Sequence, residues 1–223
     1  MQPGRIAGPR SPGQVEGDGP RAPQPVFVVS RHAARAYAAV VKILVTNDDG
    51  IRADGLAVLA SRLSDLGTVY VVAPNRERSC TGHAFTLHDP LRVDRVAPHW
   101  YAVSGTPADC VYLGIFELCP TPDLVVSGIN HGYNLGADIF YSGTVAGAIE
   151  AALRGIPAIA VSMGYAPGVD FKPAAALVHS LIRAAEGTKT AQGSHLRLPH
   201  RTVLNVNLPG PSHQRPQGGV DGF

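Results

Sequence analysis

The sequence predicts an α/β protein, with helices layered on both faces of a mostly parallel sheet, on three observations. Short runs of apolar and β-branched residues alternate with stretches of helical period. Several of these runs end abruptly in polar clusters, as strands do at the ligand-binding edge of open α/β sheets. The first two runs are joined by one amphipathic helix, which makes a parallel βαβ unit.

Lys42 to Thr46 (KILVT) is the first run, apolar enough to be buried on both faces. It stops at Asn47, Asp48, Asp49 and Gly50, where the chain must turn. Asp54 is expected to cap a helix whose apolar stripe is Leu56, Leu59, Leu63 and Leu66. Thr68 to Ala73 (TVYVVA) is the second buried strand, and Pro74 to Pro90 a long polar loop after it. Tyr101 to Gly105 is a short strand. Thr106, Pro107 and Asp109 then spell a capping-box start for a helix to about Leu118. Asp123 to Ser127 (DLVVS) is the next strand, followed by a Gly-rich loop to Tyr141. Ser142, Gly143 and Thr144 open a helix ending near Gly155. Pro157 to Ser162 is a strand, Lys172 to Glu186 a helix, and Thr202 to Asn207 (TVLNVN) a last strand, expected at an unprotected sheet edge.

The ends read differently. Met1 to Pro25 is rich in Pro, Gly, Arg and Gln without hydrophobic period, so disorder is expected there. Val26 to Val40 is more apolar and carries Arg31 and Arg35, but Glu16, Asp18 and the scarcity of Ser speak against a targeting peptide. The division expected is residues 1–40 as an extension, 41–209 as the folded domain and 210–223 as a disordered tail.

Composition narrows the function classes. A chain of 223 residues holds one α/β domain with a full core, and 45% apolar with 16% charged residues suits a soluble globular protein. A formal charge of +2 is too small to argue for nucleic acid or an anionic membrane, and no apolar run is long enough to span a bilayer. Cys80, Cys110 and Cys119 are odd in number and lack CxxC spacing, which indicates neither a disulfide framework nor a zinc site. They read as reduced thiols of a cytoplasmic protein, with Cys110 and Cys119 on a buried helix face.

Three polar clusters follow three strands: Asn47-Asp48-Asp49, Asn75 to Ser79, and Ser127 to Asn130. In a parallel sheet these ends share one edge, so one site can draw on all three. Adjacent carboxylates repel, and desolvation would force a proton onto one of them. A divalent cation removes both penalties, which makes Asp48 and Asp49 candidate metal ligands. A solvated DDG turn is the plainer reading of that stretch alone. Carboxylate, hydroxyl and amide oxygens suit Mg²⁺ or Mn²⁺ better than Zn²⁺. Ser142-Gly143-Thr144 lies at a helix N-terminus, where free N–H groups and the helix dipole attract an anion. A metal beside an anion hole equips a site for a phosphate ester. The loop after the first strand lacks GxGxxG, and neither a P-loop nor a GxSxG elbow occurs anywhere.

The segments ILVTNDDGI, VVAPNRERSCTGHAFT, GTPADCVYLG, VVSGINHGYNLGADIFYSGTVAGAIEA and IPAIAVS resemble the SurE family of survival-protein 5′/3′-nucleotidases, from about Val41 to about Pro209. The resemblance implies a three-layer α/β/α Rossmann-like fold and a divalent-metal phosphomonoesterase acting on nucleoside monophosphates. It implies Asp48, Asp49, Ser79 and Asn130 as metal ligands, and Asn134, Ser142, Gly143 and Thr144 as phosphate-binding residues. The catalytic candidates are Asp48 and Asp49, with attack on phosphorus by water or by Asp48 itself. His83 is a candidate substrate-binding residue, and a locally hydrogen-bonded loop histidine is the equal alternative. His131 reads as a surface residue, Asp109 as a helix cap, and Arg76 and Arg78 as a solvated loop face able to attract an anion. The family carries further elements and forms homo-oligomers; here GPSHQRPQGGVDGF follows the last strand, so a truncated C-terminus without that assembly is expected. Two rival readings are an inactive remnant binding metal or nucleotide, and a basic nucleic-acid binder resting only on the N-terminal arginines.

Overall fold

The computed structural model describes residues 41–186 and 201–210. The expectations for residues 1–40 and 211–223 lie outside the described residues. The elements run β1 (Lys42–Thr46), α1 (Asp54–Leu63), β2 (Thr68–Pro74), β3 (Val93–Ala97), β4 (Trp100–Val103), α2 (Pro107–Leu113), β5 (Leu124–His131), α3 (Gly143–Leu153), β6 (Ala158–Met163), α4 (Lys172–Glu186) and β7 (Val203–Leu208). The sheet order is β3-β4-β2-β1-β5-β6-β7. Every neighbouring pair is parallel except β3 with β4. β7 therefore lies at one end of the described sheet.

Strand alternation builds two cores from one sheet. Ile43, Val45, Val71 and Val126 pack with Leu56, Leu59 and Leu63 of α1 and Ala174, Val178 and Ile182 of α4. Leu44, Val72, Val103 and Val125 face the other way, onto Cys110 and Val111 of α2 and Val145, Ala148 and Ala151 of α3. Successive residues of one strand go to opposite faces, which is why the central strands are apolar throughout. The result is a three-layer α/β/α fold.

Local expectations hold with some corrections. Thr106 and Asp109 form a reciprocal capping box, with Pro107 in the first turn of α2. That helix ends at Leu113 and continues to Leu118 as a wider π-type turn, where a Cβ on Gly114 would meet Leu44. Asp54 is not the cap of α1: Ala53 holds that position without a side-chain bond, and Asp54 supplies negative charge in the first turn. Cys110 is buried on α2, whereas Cys119 is buried just beyond the π-type turn. β3 was not foreseen. All of its residues are exposed, so it has no apolar alternation, and pairing with β4 alone makes it a strand. β5 runs past Ser127 to His131, with a register shift against β6 between Ser127 and Asn130. Gly128 permits that irregularity: its φ is 137°, and a Cβ there would lie 2.3 Å from the Val161 carbonyl oxygen. Among the described residues, no helix is long and apolar enough to cross a membrane.

Candidate active site

The turn after β1 is built by its own residues. Asn47 is fully buried; its Nδ2 donates to the Gly50 carbonyl at 3.0 Å and its Oδ1 accepts from the Gly50 N–H at 3.2 Å. Gly50 has a φ of 101°, and a Cβ there would lie 3.0 Å from the Arg76 backbone. Only glycine fits both demands. The loop after β2 is tied down beside it, Arg78 N–H donating to the Asp48 carbonyl at 2.7 Å and Ile51 N–H to the Pro74 carbonyl at 2.8 Å.

Asp48 is buried against the first turn of α3. Thr144 Oγ1, itself fully buried, donates to Asp48 Oδ1. A Cβ on Gly143 would lie 2.8 Å from Asp48 Cβ, so the glycine lets the carboxylate reach the helix end. Burial raises the pKa of Asp48, while hydrogen bonds from Thr144 and the start of α3 oppose that rise. Asp49 is pushed up to about 6, first by burial and then by the charges of Asp48 and Glu77.

These carboxylates line a cavity of about 430 Å³ at the carboxyl edge of the sheet. Ser79, Asn130, Asn134 and Ser142 line the same cavity, so three strand ends and one helix start do meet. Ser79 Oγ donates to Glu77 Oε1 at 2.7 Å. Asn130 Nδ2 donates to the Gly132 carbonyl at 3.0 Å. Ser142 is the N-cap of α3, its Oγ accepting from Val145 N–H at 3.1 Å. Gly143 and Thr144 lie behind Asp48 and are not on the cavity lining.

Asn134 is 6% exposed and is gripped from the far strands. Its Nδ2 donates to Ser162 Oγ at 2.8 Å, and its N–H donates to Asn207 Oδ1 at 2.9 Å. Its carbonyl accepts from Asn205 Nδ2 at 2.9 Å and from Asn207 Nδ2 at 3.3 Å. Sequence reasoning missed Ser162, Asn205 and Asn207; the polar alternation of LNVNL in β7 was a signal for the two asparagines, and Ser162 in β6 had none.

His83 lies elsewhere. Its Nε2 is 3.0 Å from Glu150 Oε2, and the buried Glu150 also pairs with Arg154 at 2.8 Å. His131, expected at the surface, is partly buried, stacks on Tyr165 at 4.4 Å and lines the cavity. Tyr133 and Tyr141 stand at the same cavity, with Tyr141 65% exposed.

The donor set fits a hard divalent cation. Among the described residues no group of three or more His, Cys, Asp or Glu is arranged to hold a metal. The protein would thus offer two carboxylates and neutral oxygens, which is how partly hydrated Mg²⁺ is commonly bound. Burial disfavours the charged form of both aspartates, and Asp48 and Glu77 add to this at Asp49, a penalty that a bound divalent cation would offset.

A three-layer fold with an acidic, oxygen-lined cavity at the carboxyl edge of a parallel sheet defines an α/β protein built to present hard ligands at strand ends. Comparison narrows that class: the family model described as survival protein SurE matches residues 43–222, and the chain belongs to that family. It is 55% identical over 171 residues to the 5′-nucleotidase SurE of Geotalea uraniireducens (strain Rf4), covering 76% of this chain and 66% of that protein. It is 56% identical over 168 residues to the 5′-nucleotidase SurE of Pelobacter propionicus (strain DSM 2379 / NBRC 103807 / OttBd1), covering 75% and 65%. The chain thus spans slightly less than two thirds of the length of these curated relatives. The crystal structure of the SurE protein from Aquifex aeolicus matches with a TM-score of 0.69 at 40% identity, covering 78% of this chain and 68% of that one.

Proposed function

We propose that this chain is a divalent-metal-dependent phosphomonoesterase that hydrolyses nucleoside 5′- and 3′-monophosphates to nucleoside and phosphate. The observation that carries the reading is the convergence of Asp48, Asp49, Ser79 and Asn130 on one cavity with Asn134 and Ser142. The names of the relatives, 5′-nucleotidase SurE, support the 5′-nucleotidase part of that reading.

Asp48, Asp49, Ser79 and Asn130 would hold Mg²⁺ or Mn²⁺, and the cation supplies charge neutralisation for a phosphate group when bound. The side chains of Asn134 and Ser142, which line the same cavity, would take phosphate oxygens beside it. Thr144 and Gly143 serve the same pocket from behind, by seating Asp48 on the start of α3. Because Asp48 is fixed by that contact, its carboxylate is a poor mobile nucleophile. The arrangement favours direct attack by water, with the ester oxygen leaving as the nucleoside hydroxyl. Tyr133 and Tyr141 stand exposed at the cavity, where the flat face of a nucleobase would stack.

The test is release of inorganic phosphate from 5′- and 3′-nucleoside monophosphates with Mn²⁺ or Mg²⁺, with and without chelator. Metal-dependent release that chelation abolishes supports the reading. No release from any monophosphate with either metal would sink it.

A further inference from the structure

A second concavity lies on the other side of the loop that carries Ser79. Its volume is about 760 Å³, against about 430 Å³ for the acidic cavity, and the two share no lining residue among those described. Along residues 76–79 the side chains alternate: Glu77 and Ser79 line the acidic cavity, Arg76 and Arg78 the other. Arg92, from the segment before β3, completes a group of three arginines facing one carboxylate, Asp89.

The arginines are uncompensated. Among the described residues the ion pairs involve Arg62, His83 and Arg154, and none involves Arg76, Arg78 or Arg92. Arg78 Nε is buried without a hydrogen-bond partner, while its Nη2 donates to the Ser104 carbonyl at 2.5 Å. Three guanidinium groups lining one concavity repel each other, and an anion relieves that repulsion. Planar forks of N–H donors also match the oxygens of phosphate.

The walls are set before any ligand arrives. Ser104 anchors two of the arginines: its carbonyl takes the Arg78 bond, its N–H donates to the Arg92 carbonyl at 3.0 Å and its Oγ accepts from Arg92 N–H at 2.9 Å. Thr86 is held on the opposite side by Asp109, its N–H at 3.0 Å and its Oγ1 at 2.7 Å from the carboxylate. Asn75 N–H donates to the Val103 carbonyl at 2.7 Å. Such preorganisation lowers the ordering cost of binding.

We propose that this arginine-lined cleft binds a phosphate-type anion, at a site separate from the acidic cavity. The proposal does not depend on the hydrolytic reading, because the cleft and the cavity can be assayed apart. Inorganic pyrophosphate is titrated calorimetrically into the full chain after removal of divalent metal, when the acidic cavity repels anions. Expected is one site with Kd below about 1 mM. In the R76Q/R92Q double variant the affinity falls by at least about tenfold. Both side chains lie at the surface, and a melting curve confirms that the variant is folded. A control, R62Q/R183Q, removes the same charge from α1 and α4 and binds as the parent does. Absence of binding, unchanged binding in R76Q/R92Q, or equal loss in the control overturns the proposal. Loss of phosphatase activity in the separate assay would bear on the acidic cavity alone.

Discussion

The hydroxyl of Thr144 donates to the carboxylate of Asp48, joining the first turn of α3 to the end of β1. This contact links two elements that are distant in sequence and makes a helix start part of the acidic cavity. It also gives a sharp test. Thr144→Val keeps shape and burial but removes the donor, leaving a buried carboxylate short of one bond. A cost of about 1–3 kcal/mol in unfolding free energy is expected. Supporting partners of metal ligands typically matter by about 10- to 100-fold in affinity or activity, and a loss in that range is expected here. Thr144→Ser should recover most of both. Denaturant unfolding with phosphate-release kinetics measures them, and a Val variant with parental activity would remove Thr144 from the site.

Gly143 offers a test that leaves hydrogen-bonding groups intact. A methyl group there would lie 2.8 Å from Asp48 Cβ, 3.0 Å from its Oδ2 and 3.1 Å from Pro107 Cγ. Gly143→Ala must therefore push Asp48 off the helix end, although alanine itself suits a helix. The expected signature is a large fall in kcat together with a loss of stability of about 1–3 kcal/mol, because the Thr144–Asp48 bond is disturbed as well. A fall in stability with parental activity in the folded fraction would contradict it.

Asp49 links pH to stability. Its folded-state pKa is about 6, against an ordinary carboxylate value of 3.8, because burial and the neighbouring charges of Asp48 and Glu77 favour the proton. Between those values the folded state binds more protons than the unfolded one, so this group adds stability as pH falls from 7 towards 4. The metal-free protein should gain melting temperature from pH 7 to pH 5, and Asp49→Asn should flatten that gain. At pH 7, Mn²⁺ should raise the melting temperature of the parent and not that of Asp49→Asn, which should also lose nearly all activity. An Asn variant that keeps the metal-induced rise would remove Asp49 as a ligand.

The thiols should divide sharply. Cys80 is exposed, whereas Cys110 and Cys119 are buried. Burial raises the pKa of Cys110 well above the ordinary thiol value and pushes Cys119 to about 12. Only thiolate reacts with disulfide reagents. One equivalent should react in native protein and three after unfolding. Rapid reaction of a second thiol without denaturant would show that the layer under α2 opens readily.

How far the sequence could be read follows from where each signal resides. β1, β2 and the capping box at Thr106 are local patterns, and they are found as expected. The acidic cavity was legible because Asp48 and Asp49 follow closely on β1, and Ser79 and Asn130 lie in or just beyond the carboxyl ends of β2 and β5. β3 was not, since exposed residues paired only by backbone bonds leave no hydrophobic period. The N-terminus of α3 was read as an open anion site, yet Asp48, at a separation of 96 residues, is seated on it. The pairing of His83 with Glu150 spans 67 residues and likewise has no local mark.

A second long-range contact at the cavity is the grip of β7 on Asn134. Asn207 brackets it with a reciprocal pair of bonds, at 2.9 Å from its N–H and 3.3 Å to its carbonyl, while Asn205 adds a bond to the same carbonyl at 2.9 Å. The two asparagines are not equivalent. Loss of Asn205 leaves the carbonyl with a second donor, but loss of Asn207 removes the acceptor of the Asn134 N–H. A buried N–H without a partner is the costlier defect. Asn207→Ala should therefore cost about 1–3 kcal/mol in stability, and Asn205→Ala less. If Asn134 takes a phosphate oxygen, its displacement weakens substrate binding without touching Asp48 or Asp49. Asn207→Ala should then raise KM for a nucleoside monophosphate several-fold while the affinity for Mn²⁺ stays at the parental value. Equal effects on KM and on metal affinity would mean that β7 supports the cavity as a whole rather than Asn134 in particular.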